Sequence, residues 1–216
     1  MIFLPILFGN PWIWKIGQFS PLLFLFLIIS SIVLLLHWNQ KVSNKIVVIF
    51  LVPLFYFQWH TTNFHSLILS DNDEQRIIAM RKQFYNPSAD VARRIFYRFH
   101  LADLFEGDLS VGITRLQRNL FETLDPNIYF FSGHPRERVW ANDFKKFPFV
   151  LIVPFFIGLY KLIRWTNITL WIYVSSSLIL LSVIGHVNQM GPFILFPFFV
   201  LAINIGIRTL WELKNR

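Results

Sequence analysis

The chain contains no cysteine, which excludes a disulfide framework and any thiolate metal site. It is also poor in charge: Asp, Glu, Lys and Arg make up 15% of its 216 residues, where a soluble domain averages about 25%. No P-loop, GxGxxG or GxSxG motif occurs, so phosphate-loop chemistry, dinucleotide binding and nucleophile-elbow hydrolysis have no residues to carry them. No internal repeat of 20–50 residues is visible. The opening stretch "MIFLPILFGNPWIWKIGQFS" lacks the basic segment that precedes the core of a cleavable signal peptide.

What is present is apolar and aromatic. Hydrophobic residues account for 55% of the chain and aromatics for 18%, with 25 Phe and a mean hydropathy of +0.50. The net charge of +8 would suit nucleic acid, but its distribution does not. Eleven of the twelve acids lie between Asp71 and Asp143, and the same central stretch holds twelve bases from Arg76 to Lys146, so it is close to neutral. The excess sits on Lys15, Lys41, Lys45, Lys161, Arg164, Arg208, Lys214 and Arg216, beside apolar runs. Short loops rich in Lys and Arg are held on the cytoplasmic side of a membrane. The pattern is therefore a topology signal, and no nucleic-acid partner is expected.

Five runs read as membrane helices: 21–36, 46–57 (interrupted by Pro53), 147–163, 168–184 and 192–207. Lengths near twenty apolar residues span the hydrocarbon layer, and shorter ones recruit flanking aromatics. Trp12, Trp14, Trp38, Trp59, Trp165 and Trp211 lie near the proposed ends, as interfacial Trp should. Residues 2–14 read as an interfacial or re-entrant helix broken at Gly9-Asn10-Pro11, or as part of a sixth span. The expected fold class is all-α: a polytopic membrane protein with about five transmembrane helices. An extracytoplasmic helical cap lies between the second and third. Residues 1–57 form an amino-terminal interfacial segment plus two membrane helices, 58–146 the cap, and 147–216 three membrane helices and a cytoplasmic tail. The expected location is the cytoplasmic (inner) membrane, with the carboxy terminus cytoplasmic.

The cap is expected to lie on the outer membrane surface as three helices. One begins at Asp71, with Glu74 completing a capping box. A second runs from Ala89, with Val91, Ile95, Phe99 and Ala102 at helical spacing. The third carries Leu109, Ile113, Leu116, Leu120 and Leu124 on one face and stops at Asp125-Pro126-Asn127.

Candidate chemistry lies mostly in this cap. Arg93, Arg94, Arg98, Arg136 and Arg138 are placed to meet a lipid-linked phosphate, because guanidinium forks match phosphate oxygens bidentately. Salt bridges to Asp90, Asp103 and Glu137 explain the same arginines without a ligand. Asp71 and Asp73 form a DxD that a divalent cation would suit, though helix capping accounts for both acids. No other cofactor is expected. The histidines are scattered: His60 and His65 are five apart, not the four that puts two ligands on one helix face. Lys145 and Lys146 directly precede a membrane run and read as snorkelling anchors. Asn167-Ile168-Thr169 matches a glycosylation sequon, but in a loop assigned to the cytoplasmic side.

The order of "LFETLDPNIYFFSGHPRERV", "FPFVLIVPFFIGLYKLI" and "GHVNQMGPFILFPFFVLAINIGI" resembles the carboxy-terminal half of bacterial GT-C class membrane glycosyltransferases, the protein O-mannosyltransferase and aminoarabinose-transferase-like group. The similarity covers roughly residues 70–207. It implies a chain that handles polyprenyl-phosphate-linked sugars in envelope glycosylation, with His134, Arg136 and Arg138 matching the family's outer-loop pattern. The family's Arg-His pair is not reproduced, and nothing corresponds to its amino-terminal half, which carries the catalytic acid. The resemblance thus implies a partial or accessory unit, with a membrane protein partner supplying the acid, and leaves enzymatic activity open. The competing expectation is a non-enzymatic assembly protein whose cap binds another envelope protein.

Overall fold

A computed structural model describes residues 3–61, 108–131, 146–165, 167–185 and 190–215, with the side chains of 108–111 excepted. The expected cap helices at 71–84 and from Ala89 lie outside the described residues. So do Asp71, Asp73, Arg93, Arg94, Arg98, His134, Arg136, Arg138 and Lys145. Among the described residues every regular element is helical.

Local rules place the first elements. α1 (Phe3–Phe8) and α2 (Pro11–Phe19) meet at Asn10. Its Oδ1 accepts from Ile13 N while its Nδ2 donates to Ile6 O and Leu7 O. One buried amide therefore closes α1 and caps α2, satisfying orphan groups of both. The expected break at 9–11 is this junction. α3 (Pro21–Trp38) is capped by Ser20, whose Oγ accepts from Leu23 N, and has Pro21 in its first turn, where no amide hydrogen is needed. α4 (Asn44–Thr61) returns beside α3, and Ser30 Oγ donates across to Phe50 O at 2.9 Å.

α5 (Asp108–Leu124) and the short α6 (Asn127–Phe130) follow, then a 3-10 turn Phe149–Leu151 leading into α7 (Ile152–Arg164). α8 (Ile168–Ile184) is capped by Asn167. A second 3-10 turn, Phe193–Leu195, leads into α9 (Phe196–Lys214). Helices thus occupy all five apolar runs. Two helical stretches, Pro21–Trp38 and Phe193–Lys214, are long and apolar enough to cross a membrane; α8 is apolar but shorter.

α9 is the centre of the bundle, buried on every side from Phe196 to Gly206. It runs parallel to α7, since Phe147 stacks on Phe196 near one end while Gly158 meets Ala202 further along. The two helices cross backbone to backbone. A Cβ added at Gly158 would lie 1.8 Å from Ala202 O, and one at Gly206 would lie 1.8 Å from Pro154 O. Pro154 and Gly158 on one helix, and Ala202 and Gly206 on the other, form a reciprocal small-residue contact of the kind that lets helices approach closely. Above the crossing Phe155 and Phe199 stack at 4.6 Å.

The outside of the bundle is apolar as well as its core. The outward positions are apolar: Leu22, Leu25, Ile29 and Ile32 on α3; Val48, Ile49, Val52 and Tyr56 on α4; Val153, Phe156, Tyr160 and Ile163 on α7; Ile168, Ile172 and Ile179 on α8. The buried set contains Ser30, Ser31, Gln58, Ser177 and Asn204. Scattered exposed apolar residues are ordinary on a soluble protein, but contiguous stripes on four helices are not.

The two ends of the bundle differ. At one end Trp38 packs edge-on against Trp165 at 4.6 Å, and His37 joins the two connections. Its Nδ1–H donates to Val42 O, leaving Nε2 to accept from Asn167 Nδ2, both at 2.9 Å. Asn167 Oδ1 meanwhile caps α8 by accepting from Leu170 N. The asparagine of the sequon is thus spent on structure, and His37 is a tie between loops. The opposite end gathers Trp12, Gln58, Lys146 and residues 190–194.

Candidate functional site

That second end is a buried polar node. Trp12 is fully buried, edge-on to Phe147 and Phe196, and its Nε1–H donates to Met190 O at 2.6 Å. The indole's one donor finds a partner inside the protein, so the ring packs as core and is not turned outward. Gln58 Nε2 reaches Gly191 O, and its Oε1 accepts from Ile194 N at 3.1 Å. One amide side chain of α4 thereby holds the buried segment that leads into α9.

Lys146 also departs from expectation. It is 3% exposed and does not snorkel. Its Nζ donates to Ile128 O at 2.8 Å and lies 5.9 Å from the ring centres of both Trp12 and Tyr129. A carbonyl and two aromatic faces attract the ammonium and offset part of its desolvation. Gly191 completes the site. Its φ of 68° suits glycine, and a Cβ there would come within 2.7 Å of Lys146 Cε.

The node fixes where the 132–145 segment leaves and returns. Phe147 N donates to Tyr129 O at 2.8 Å, and α6 on one side and Phe147 on the other are locked into the aromatic core. His134, Arg136 and Arg138 fall in sequence between these two anchors and lie outside the described residues.

Tyr129 also walls an apolar cleft of about 240 Å³. One side is formed by Thr123, Leu124 and Tyr129, another by Phe155, Phe156 and Leu159 of α7. Trp171, Val174 and Leu178 of α8 form a third, and Leu195, Phe198 and Phe199 close the back. The Tyr129 hydroxyl points away into a hydrogen bond with Thr123 O. The cleft offers dispersion contacts and almost no hydrogen bonding, so it suits an aliphatic chain and not a sugar.

The third expected cap helix is α5, and its stop at Leu124 agrees with the Asp125-Pro126 signal. α5 packs along α8: Asn119 Nδ2 donates to Ser182 O at 3.0 Å, and one turn on Thr123 and Leu124 share the cleft with Leu178 and Val174. Among the described side chains of α5 the buried ones are Asn119 and Thr123, while Ile113, Leu116, Phe121 and Leu124 are exposed.

Sequence reasoning missed Gln58, Asn119 and the true setting of Lys146. The available signals were a lone amide in an apolar run, and a polar pair four apart (Asn119, Thr123) on α5 away from its leucines. Among the described residues no group of three His, Asp or Glu is placed to hold a metal ion. No protein-family model, curated protein or solved structure matches the chain.

Proposed function

We propose that this chain is a five-span protein of the cytoplasmic membrane that receives the tail of a polyprenyl-phosphate-linked sugar, as a partial or accessory unit of a GT-C-like glycosyltransferase. The observation that carries this reading is the aromatic cleft between α5–α6, α7, α8 and α9. Its volume is below the roughly 300–1,000 Å³ of sites that enclose a drug-sized ligand, so it fits a length of tail and leaves the head outside. The outward apolar stripes on α3, α4, α7 and α8 support the spans. The basic residues Lys41, Lys45, Lys161 and Arg164 flank the His37–Asn167 end, which supports assigning that end to the cytoplasm.

In this reading His134, Arg136 and Arg138 take the carrier's phosphate, and a partner chain supplies the catalytic acid. Binding of polyprenyl phosphate and of the uncharged polyprenol to the full chain in detergent tests it. Leu178→Trp fills the cleft and should weaken both ligands. Arg136→Ala with Arg138→Ala should weaken only the phosphate. Unchanged binding of both ligands in both variants overturns the proposal. A second reading, an assembly protein for another envelope protein, draws on the exposed apolar face of α5.

A further inference from the structure

α5 is turned the wrong way for water. A helix lying on a soluble protein buries its apolar stripe and presents its polar side. Here the stripe Ile113, Leu116, Leu120, Leu124 recurs every three or four residues, and three of its four members are exposed, Leu120 being half-buried. Phe121 beside it is 69% exposed. The side that docks on α8 carries Asn119 and Thr123. Arg118 and Glu122 pair at 4.0 Å on a third flank, away from the stripe. Polar dock, apolar stripe and charged flank follow one another around the helix.

The neighbourhood names the medium that the stripe meets. α8 carries no charged residue from Ile168 to Ile184, and its own outward positions include Ile172 and Ile179. α5 runs alongside α8, since Asn119 meets Ser182 and Leu124 joins Val174 and Trp171 in one cleft. The stripe therefore continues the apolar outer surface of α8. Leu124, half exposed, belongs both to the stripe and to the cleft wall.

We infer that α5 is a membrane-embedded helix, held by hydrogen bonds to α8, whose Ile113–Leu116–Leu120–Leu124 face lies against the acyl chains of the bilayer. Its polar side chains Asn119 and Thr123 are turned inward, Asn119 to hydrogen-bond α8 as polar residues between helices in hydrocarbon do, and its apolar stripe is left outward. The cleft beside Leu124 then opens sideways into hydrocarbon. The inference rests on the membrane reading above but not on the identity of any carrier lipid.

The absence of cysteine allows single cysteines to be placed without removing any. Spin labels at positions 113, 116 and 124, at 118, and at 172 and 179 of the full chain would be compared in phosphatidylethanolamine–phosphatidylglycerol vesicles. Collision rates with oxygen, which partitions into hydrocarbon, are set against those with a water-soluble nickel chelate. The expected result is a several-fold preference for oxygen at 113, 116 and 124, equal to that at 172 and 179, with the preference reversed at 118. Preference for the nickel chelate at the stripe overturns the inference. Low rates with both reagents there, while 172 and 179 favour oxygen, also overturn it, because protein then covers the stripe. If 172 and 179 themselves favour nickel, the membrane reading fails, and this inference with it.

Discussion

Two helix pairs in this protein hold together by opposite means. α7 and α9 meet where side chains are missing: Gly158 and Gly206 each face the other helix's backbone, and Phe155 and Phe199 stack beside them. α5 and α8 meet through polar side chains, with Asn119 bonded to Ser182 O and Thr123 buried beside it. The first contact is shape with almost no polarity; the second is hydrogen bonding that leaves the apolar stripe free. In the membrane setting proposed above, burying a leucine against another leucine gains little over leaving it against lipid, so close packing and hydrogen bonds are the means that remain. The chain uses one for its central pair and the other for its peripheral helix.

The largest effect should come from Gly158→Val. The crossing has no room for even one methyl, since an added Cβ falls 1.8 Å from Ala202 O. Overpacking of this kind should cost about 3 kcal/mol, read as a lower unfolding midpoint of the whole chain in mild detergent. An unchanged midpoint would show that α7 and α9 are not in backbone contact.

Asn119→Leu should act more weakly and locally. It removes one part-buried hydrogen bond and leaves Ser182 O to find another partner, a loss of about 1 kcal/mol. Limited proteolysis should then cut the 108–124 region faster while the α7–α9 core keeps its midpoint. Loss of the whole fold would mean that α5 is part of the core and not a docked element.

The smallest expected effect has the opposite sign. Asn204 lies two residues from both Ala202 and Gly206, on the far side of α9 from α7, and neither of its buried polar atoms has a partner. Replacing it with leucine, which has the same number and branching of heavy side-chain atoms, removes that unmet demand and should raise the midpoint, by about 1 kcal/mol of stability. A lowered midpoint would mean that the amide meets a polar group after all and that the α9 core is not held by shape alone.

Much of the helix map was legible from residues acting within one turn. Pro21 after Ser20, Asn167 before Ile168 and Asp125-Pro126 after Leu124 mark helix boundaries that the structure keeps. The break at Gly9-Asn10 was equally plain, because one asparagine can serve both helices there. The settings of Trp12 and Lys146 were not legible. Both residue types suit a membrane interface by composition, and only the arrival of Met190 O, Ile128 O and the Tyr129 ring makes them core. The Gly158–Gly206 crossing joins positions 48 residues apart, and a glycine in a run gives no sign of what will lie against it. The arginines and histidine that the family resemblance singled out lie outside the described residues; the structure supplies the anchors on either side of His134, Arg136 and Arg138.

By itself the sequence determined that this is a helical protein with apolar runs at fixed positions and basic residues beside them. Helix caps, proline and hydrophobic periodicity act over a few residues and need no partner to take effect. The tertiary structure alone decided which runs touch, how closely, and which flank of α5 faces outward. An amphipathic pattern sets the angle between the faces of a helix, but the medium that each face meets depends on what packs against the other. On α5, Asn119 bonds Ser182 O of α8 and Thr123 is buried with it, while Ile113, Leu116 and Leu124 face outward.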